Sequence, residues 1–149
     1  MANIDIAVEQ KTNGLFDIKF ENGEIVGTES FDTAINITIF EEKRADESEQ
    51  PVNYLRRGWH GNLLSDVEGY EIGSKLWQSY QARANDDTNN KVVSDLFDAN
   101  QWFVEDQFLD DVIITSTLLQ DNINPLIKYF RSQNEVDSRS FLLWENTGQ

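Results

Sequence analysis

The chain has 149 residues, of which 39% are hydrophobic, so it is long and apolar enough for one globular domain with a core. Its 27 acidic residues against 12 basic ones give a net charge of −15, which argues against binding to nucleic acid or to an anionic membrane, because both require clustered Lys and Arg. The absence of cysteine excludes disulfides and cysteine-based metal or nucleophilic sites. With no signal-like start and no long apolar run, we expect a protein that is made and kept in a cytoplasm.

Apolar and polar side chains alternate in the first 30 residues, which predicts short β-strands. The apolar positions are Ile4, Ile6 and Val8 in a first strand, Phe16, Ile18 and Phe20 in a second, and Ile25 in a third. Thr12-Asn13-Gly14 supplies the first turn, and Asn22-Gly23 predicts a tight hairpin, since a type I′ turn needs positive φ at both central residues. We therefore expect residues 1–30 to form an N-terminal β-meander, a hairpin extension of the core that residues 31–149 build.

The segment between Phe31 and Arg44 allows two interpretations. Its apolar spacing fits a helix with Asp32 as N-cap, but alternating isoleucines also fit a strand, and β-branched residues favour strands. The residues alone leave both open. Beyond this segment, residues 45–50 are acidic and polar and predict a solvated loop that leads to Pro51.

Two helices are predicted in the centre of the chain. The first runs from Ser74, a suitable N-cap, to Ala84. Asn85-Asp86-Asp87-Thr88 then predicts a break and a new helix start, where acidic side chains suit the positive end of the helix dipole. The apolar face of the second helix comprises Val93, Leu96, Phe97, Asn100, Phe103, Val104 and Phe108. The short connection predicts that the two helices pack as an antiparallel pair.

From Asp111 onward the pattern predicts a three-stranded antiparallel sheet. The strands are expected at residues 112–119, 126–130 and 140–144, with turns at 121–122 and 134–138. Pro125 is expected near a strand start or on an edge, because it cannot donate a ladder hydrogen bond. The predicted fold class is therefore α+β.

The most distinctive stretch runs from Arg56 to Trp77 and combines a tandem arginine with four glycines and three large aromatic residues. Glycine permits conformations and close approaches that other residues resist, and tryptophan supplies a rigid apolar anchor. Arg56 and Arg57 are the best candidate site, either as an internal brace to acidic side chains or as a contact to a partner. Trp59 and Trp77 are expected to pack in the core.

Arg56-Arg57-Gly58-Trp59-x-Gly61, followed by Gly73-Ser74-Lys75-Leu76-Trp77, resembles the RRGWWGD … GSRLW signature of a small baseplate protein family of Mu-like contractile-tailed phages. The resemblance runs from about Phe31 to the C-terminus and favours a helix for residues 31–44. His60 and Asn62 stand where the family often has Trp and Asp. The positions carried over as interaction or structural motif are Arg44, Arg56, Arg57, Gly58, Trp59, Gly61, Gly73, Ser74, Leu76 and Trp77.

That family is similar to the wedge component, or sheath initiator, of other contractile injection systems, and is sometimes labelled lysozyme-like. The resemblance implies a virion structural protein of the tail baseplate, assembled in the host cytoplasm, which joins wedge subunits to the first sheath ring in a six-fold assembly. The implied partners are other baseplate wedge proteins and the tail sheath protein, with tail tube or hub proteins as further candidates. Neither nucleic acid, membrane nor cofactor is expected.

The last predicted strand has no proline and no charge before Glu145. Such an apolar edge is either buried by its own fold or kept for strand addition by a partner. The resemblance to sheath initiators favours strand addition, with Phe141, Leu142, Leu143 and Trp144 as the candidate edge.

The alternative function is a peptidoglycan-cleaving hydrolase, in the sense of the lysozyme-like label. Such an enzyme needs two carboxyl groups, one with a raised pKa. Four acidic residues cluster at the junction between the second helix and the sheet: Glu105, Asp106, Asp110 and Asp111. Charged runs at such a boundary are usually solvated surface. His60 is the single histidine, and a histidine beside a tryptophan is more often structural than catalytic. The sequence contains no calcium-loop or phosphate-loop motif. We therefore expect no catalytic residue and no metal site.

Overall fold

Short antiparallel strands form the N-terminal part of the chain, as its alternating sequence predicts. The computed structural model describes residues 5–12, 16–28, 31–49, 58, 62–63, 71–80 and 82–143. The first strands are β1 (Asp5–Ile6), β2 (Val8–Gln10), β3 (Phe16–Ile18), β4 (Phe20–Glu21), β5 (Glu24–Ile25) and β6 (Gly27–Thr28). They pair as β1 with β6, β2 with β3 and β4 with β5. The predicted hairpin turn is confirmed, with φ of 51° at Asn22 and 80° at Gly23.

A cyclic set of backbone hydrogen bonds joins these three ladders. The Ala7 amide donates to the Val26 carbonyl (2.8 Å), the Val26 amide to the Lys19 carbonyl (3.0 Å), and the Lys19 amide to the Ala7 carbonyl (2.8 Å). Each of the three extended segments therefore changes partner at its middle residue. The predicted meander therefore closes into a three-way junction. Each central amide has a backbone acceptor in this junction, whereas a flat sheet would leave such amides unpaired on its edges. We call the described residues 5–12 and 16–28 the N-terminal β-module.

A helix, α1 (Asp32–Phe40), follows the N-terminal β-module, as the family resemblance favours. Ile35 and Ile39, four residues apart, are fully buried on one face, so tertiary packing outweighs their β-propensity. Asp32 was predicted as the N-cap of this helix, and that prediction is wrong by one position. Phe31 is the N-cap and makes no side-chain capping bond, whereas Asp32 pairs with Arg139.

The central helices differ from the prediction. Only a short 3-10 helix forms at Leu76–Ser79, in place of the α-helix expected over residues 74–84. The backbone of Ser74 is hydrogen-bonded to residues 41–43, which prevents an earlier helix start. α2 (Asp86–Glu105) is the long helix, and it packs mainly on the C-terminal sheet and also contacts α1. The described residues therefore contain no antiparallel pair of long helices in this region.

α2 begins where the sequence predicts. The side chain of its N-cap Asn85 accepts a hydrogen bond from the Thr88 amide (2.9 Å). Its buried face differs from the predicted one at Phe97, which is exposed, and the helix ends before Phe108, to which it was expected to extend. The buried positions include Val92, Leu96, Ala99, Asn100 and Phe103.

The C-terminal sheet consists of β7 (Asp111–Leu119), β8 (Asn122–Arg131) and β9 (Asn134–Ser140), in that order and antiparallel, which confirms the predicted sheet. The second turn lies earlier than expected, since Ser132 and Gln133 have positive φ of 53° and 66°. Residues 134–138 are therefore strand. Of the last strand expected at residues 140–144, Ser140 ends β9, and the described residues after it contribute one bridge, between Leu143 and Ile123.

Pro125 lies inside β8, opposite Ser116, so its expected place near a strand start is wrong. Because Pro125 has no amide hydrogen, it interrupts the pairing between β8 and the chain of β9. Ile123 exchanges hydrogen bonds with Leu143, and backbone groups alternate along a strand, so the Pro125 nitrogen also faces the β9 side. The β8–β9 ladder ends at Leu126, one residue after the proline, and resumes only at Ile123.

One apolar cluster joins both helices, the 3-10 helix and the inner face of the sheet. Phe103 contacts Phe31 and Tyr129 edge-on, with ring centroids 6.1 and 5.7 Å apart. The buried members are Ile35, Ile39, Leu76, Val92, Leu96, Phe103, Leu109, Val112, Ile123, Ile127, Tyr129 and Leu143.

Candidate functional site

Gly73 and Ser74, from the distinctive motif, lie against the chain that follows α1. The Ser74 amide donates to the Glu41 carbonyl (2.9 Å), and the Lys43 amide donates to the Ser74 carbonyl (2.9 Å). These bonds form a parallel bridge between Glu42 and Ser74. We call residues 41–45 together with 73–77 the clasp.

Gly73 is required in the clasp for two reasons. Its φ is +119°, which residues with a side chain rarely adopt. A β-carbon at this position would also lie 2.9 Å from the Glu41 carbonyl oxygen and 3.1 Å from the Lys43 amide nitrogen. Both neighbours are backbone atoms that cannot rotate away, so only glycine permits this approach.

Side chains of the motif add further bonds to the clasp. The Ser74 hydroxyl donates to the Ile39 carbonyl (2.7 Å), and the Leu76 amide donates to the same hydroxyl (3.3 Å). The prediction that Ser74 is the N-cap is wrong by one position, because Lys75 is the N-cap of the 3-10 helix Leu76–Ser79. Leu76 is buried in the core. Trp77 is half-buried, and its indole nitrogen donates to the Lys43 carbonyl (2.8 Å).

Lys75 connects the clasp to an acidic 3-10 turn at Glu47–Glu49. Its ammonium group lies 2.7 Å from a Glu49 carboxylate oxygen and 3.0 Å from one of Asp46. Partial burial lowers the pKa of Lys75, but the hydrogen bonds to Glu49 and Asp46 outweigh burial and raise it. Burial likewise raises the pKa of Glu49, while the Lys75 bond and the Asp46 amide together lower it below its usual value. The ion pairs therefore favour the charged forms on both sides.

Asn62 holds the residue before Gly73 in place. Its side-chain oxygen accepts a hydrogen bond from the Ile72 amide, and its side-chain nitrogen donates to the Ile72 carbonyl, both at 2.8 Å. An aspartate, which the resembled family often has here, could make only the first of these bonds.

Among the other predicted site residues, Gly58 lies against Arg44 of the clasp. Gly58 has φ of +132°, and a β-carbon there would lie 3.4 Å from the β-carbon of Arg44, which is itself exposed. The remaining motif residues fall outside the described residues: Arg56, Arg57, Trp59, His60 and Gly61. Their expected roles stay predictions.

The carboxylates weighed as catalytic candidates lie on the surface near the start of the sheet. Asp111 accepts a hydrogen bond from the Val112 amide (2.8 Å), and Asp110 accepts one from the Ser132 amide, so both satisfy backbone groups at this end of the sheet. Glu105 and Asp106 are exposed. Among the described residues, no group of three or more His, Cys, Asp or Glu is arranged to hold a metal ion. No described helix is long and apolar enough to cross a membrane.

A family model described as phage protein GP46 matches residues 31–136. The chain belongs to this family. Baseplate protein gp46 of Escherichia phage Mu is 30% identical over 93 residues, which is 61% of this chain and 62% of the Mu protein. The match thus spans less than two thirds of that relative. No solved structure matches the chain.

The residues matched to the GP46 family contain the clasp, both helices and most of the C-terminal sheet. The N-terminal β-module precedes them. Residues 137–143, which include the candidate strand-addition edge, follow them.

Part of the candidate edge at residues 141–144 already pairs and packs within the chain's own fold. Leu143 is buried and exchanges backbone hydrogen bonds with Ile123 (2.9 and 3.4 Å), and the Phe141 ring lies 5.3 Å from that of Phe40. Leu142 is exposed, and Trp144 lies outside the described residues. Strand addition at residues 141–144 stays a prediction.

Sequence reasoning missed a brace formed by Arg139. Its guanidinium pairs with Asp32 at the start of α1 and with Asp137 on β9 (2.6 Å), so it ties helix to sheet. Nothing in the local sequence distinguishes Arg139 from other arginines, because its partner lies 107 residues away. The sequence did contain a signal for the buried pair of Asn100 and Tyr129, because Asn100 is a polar residue at helical spacing among apolar ones.

Proposed function

We propose that this GP46-family chain is a non-enzymatic structural component of a contractile phage tail baseplate, where it joins wedge subunits to the first sheath ring. Family membership supports this role, as does the similarity to a Mu protein named as a baseplate protein. The proposed location is the virion tail, after assembly in the host cytoplasm. The proposed partners are other wedge proteins and the sheath protein, in a six-fold assembly.

The observation that favours a joining role is a strand edge for which the described residues supply no partner. Ile123 exchanges hydrogen bonds with Leu143, so its backbone polar groups face away from β7, and Leu118 stands opposite it on β7. Because these groups alternate along paired strands, the N–H and C=O groups of Ile114, Ser116 and Leu118 point to the outer edge of β7. Within the described part of the chain, no hydrogen-bond partner is found for these three amides.

The β7 edge is also the less protected of the two edges of the sheet. From Val112 to Gln120 it carries neither charge nor proline, the devices that normally block strand addition. The β9 edge carries Asp137 and Arg139, and Asp137 accepts a hydrogen bond from the Ser138 amide (2.8 Å). An extended arm of a sheath or wedge subunit would therefore add next to β7, where backbone bonds supply affinity and alternate side chains supply specificity.

The clasp supports the wedge side of the proposal. Gly73 and Lys75 fasten the chain after residue 71 to the chain between Glu41 and Glu49. Both ends of the stretch that carries Arg56 and Arg57 are thereby fixed to the core. We propose that these two arginines contact acidic groups of a wedge subunit.

The edge assignment can be tested by substituting Ser116, because its amide takes no part in the β7–β8 ladder. Ser116→Pro should leave the sheet intact and block an incoming strand. Ser116→Ala is the matched control, because both variants lose the hydroxyl bond to Asn89 (2.6 Å) but only the proline loses the outward amide. The variants would be supplied to a phage that lacks this gene, and tails would be examined by electron microscopy after melting curves confirm folding.

The expected result is sheathless or short-sheathed tails with the proline variant and normal tails with the alanine variant. Normal sheaths with both variants would show that β7 accepts no strand. Complete tails in the phage without the gene would contradict the baseplate role itself.

A further inference from the structure

The N-terminal β-module exposes apolar side chains that its own fold does not cover. Phe20 and Ile25 stand directly opposite each other on β4 and β5 and are 57% and 54% exposed. Cross-strand partners lie on one face, so the two side chains form a continuous patch. Ile6 and Ile18 are exposed as well. Such an exposed apolar patch is a candidate surface for contact with another molecule.

A cleft lies between the N-terminal β-module and α1. Its volume is about 230 Å³, and its apolar walls are Val8 and Ile18 on one side and Ile37 and Phe40 on the other. Sites for drug-sized molecules usually measure about 300–1,000 Å³. The cleft is therefore better matched to one long side chain than to a small-molecule ligand.

Two carboxylates, Asp17 and Glu41, also line the cleft. Burial raises the pKa of Glu41, and the charge of Glu42 adds to this effect. Neither Asp17 nor Glu41 forms an ion pair with another described residue. Lys19 pairs with Glu21, and Lys11 pairs with Glu9 while its charge also acts on Asp17. Asp17 accepts a hydrogen bond from the Ile18 amide (2.8 Å), which leaves carboxylate lone pairs on both residues for a cationic side chain.

We propose that this cleft and the Phe20–Ile25 patch receive a long basic side chain, Arg or Lys, with its apolar neighbours, from another protein of the baseplate. The aliphatic stem would pack against Ile18 and Phe40, and the charged head would reach Asp17 and Glu41. The inference rests on the baseplate role proposed above. It goes beyond the family assignment, because the module precedes the residues that the family model matches.

Two double variants test the contact in a phage that lacks this gene. One reverses the charges of the cleft, Asp17→Lys with Glu41→Lys, and its control makes the same charge change on exposed positions of α2, Asp98→Lys with Glu105→Lys. The other removes the patch, Phe20→Ser with Ile25→Ser, and its control is Phe97→Ser, an exposed aromatic of α2. The purified chains are compared by thermal melting, and the copies incorporated into baseplates are counted by quantitative mass spectrometry.

The expected result is unchanged melting and a fall in incorporation of about tenfold or more for the cleft and patch variants only, as for the loss of central interface residues. A single Arg or Lys to Glu change in another tail protein should restore the charge-reversed variant. A photo-crosslinking phenylalanine analogue at Phe20 should label that same protein next to the basic residue.

Wild-type incorporation of both variants would overturn the inference, and so would crosslinks or suppressors confined to this chain. A matching fall in melting temperature would assign the cleft to the chain's own folding. Each of these results leaves the baseplate role standing, because that role is tested separately by removal of the gene and by Ser116→Pro.

Discussion

The α-carbon of Gly73 faces the carbonyl oxygen of Glu41 so closely that a β-carbon would come within 2.9 Å of it. This approach lets the Ser74 amide reach the same carbonyl at 2.9 Å and the Ser74 carbonyl accept from Lys43. The hydrogen bonds of the clasp therefore depend on the missing side chain.

Gly73→Ala should lower the free energy of unfolding by about 2 kcal/mol or more, because strain at positive φ costs about 1–3 kcal/mol and the backbone contact adds to it. Gly23→Ala is the matched control, since Gly23 also has positive φ but no atom within 4 Å of its β-carbon position. Urea unfolding of both variants measures the difference. Equal losses would show that the Glu41 contact contributes nothing.

A second expectation concerns the buried pair of Tyr129 and Asn100. The Tyr129 hydroxyl donates to the Asn100 side-chain oxygen (2.7 Å), and the Asn100 side-chain nitrogen donates to the Leu96 carbonyl (2.7 Å). Tyr129→Phe leaves a buried acceptor without its donor, which should cost about 1–3 kcal/mol of unfolding free energy at pH 7.

The same pair predicts a loss of stability in alkali. Burial raises the pKa of Tyr129 far above its usual value, so the folded state keeps the proton that the unfolded state releases. The stability from this group is complete below about pH 10, the unfolded pKa, and falls as the pH rises above it. Tyr129→Phe should show a shallower decline above pH 10 than the wild type, and parallel curves would refute this assignment.

Arg139 should behave as a brace between helix and sheet. Arg139→Gln removes the pairs with Asp32 and Asp137 and should cost about 1 kcal/mol, at the upper end for partly exposed ion pairs. The loss should shrink at 1 M salt, because screening weakens the pairs. Arg131→Gln is the control, since Arg131 is exposed and forms no ion pair with the described residues. Equal effects of the two substitutions would exclude the brace.

The sequence predicted features set by local chemistry. The Asn22-Gly23 turn, the Asn85 cap and the antiparallel C-terminal sheet follow from turn residues, capping side chains and β-branched runs. α1 was less certain from its residues, because three alternating isoleucines fit a strand as well as a helix. Burial of Ile35 and Ile39 against the core decides for the helix, and burial is not a local property.

Other features depend on residues far apart in the chain. The helix expected from Ser74 begins only at Leu76, because the Ser74 backbone bonds to residues 41–43, over thirty positions earlier. The N-terminal junction arises from mutual hydrogen bonds of Ala7, Lys19 and Val26. In the candidate site, Gly73 and Ser74 indicated a close approach of two backbone segments. The residue spacing did not identify the second segment, which is the chain that follows α1.

The final prediction concerns the pH range over which Lys75 and Glu49 stabilise the clasp. The folded pKa of Glu49 is lowered, so its contribution is complete above the unfolded value near 4.5 and is lost as the pH falls through the folded pKa. The folded pKa of Lys75 is raised, so its contribution is complete below about pH 10.4 and is lost above it. The ion pair should therefore act between these limits.

Glu49→Gln should cost up to about 1 kcal/mol at pH 7, since the pair is partly exposed, and progressively less as the pH falls and the wild-type carboxylate takes up its proton. Glu105→Gln, on an exposed carboxylate at the end of α2 that forms no ion pair with the described residues, is the control. Unfolding free energies of the three chains at pH 3, 5 and 7 give the comparison. A deficit of Glu49→Gln that persists unchanged at pH 3 would mean that its side chain acts by packing and that Lys75 does not hold the clasp through charge.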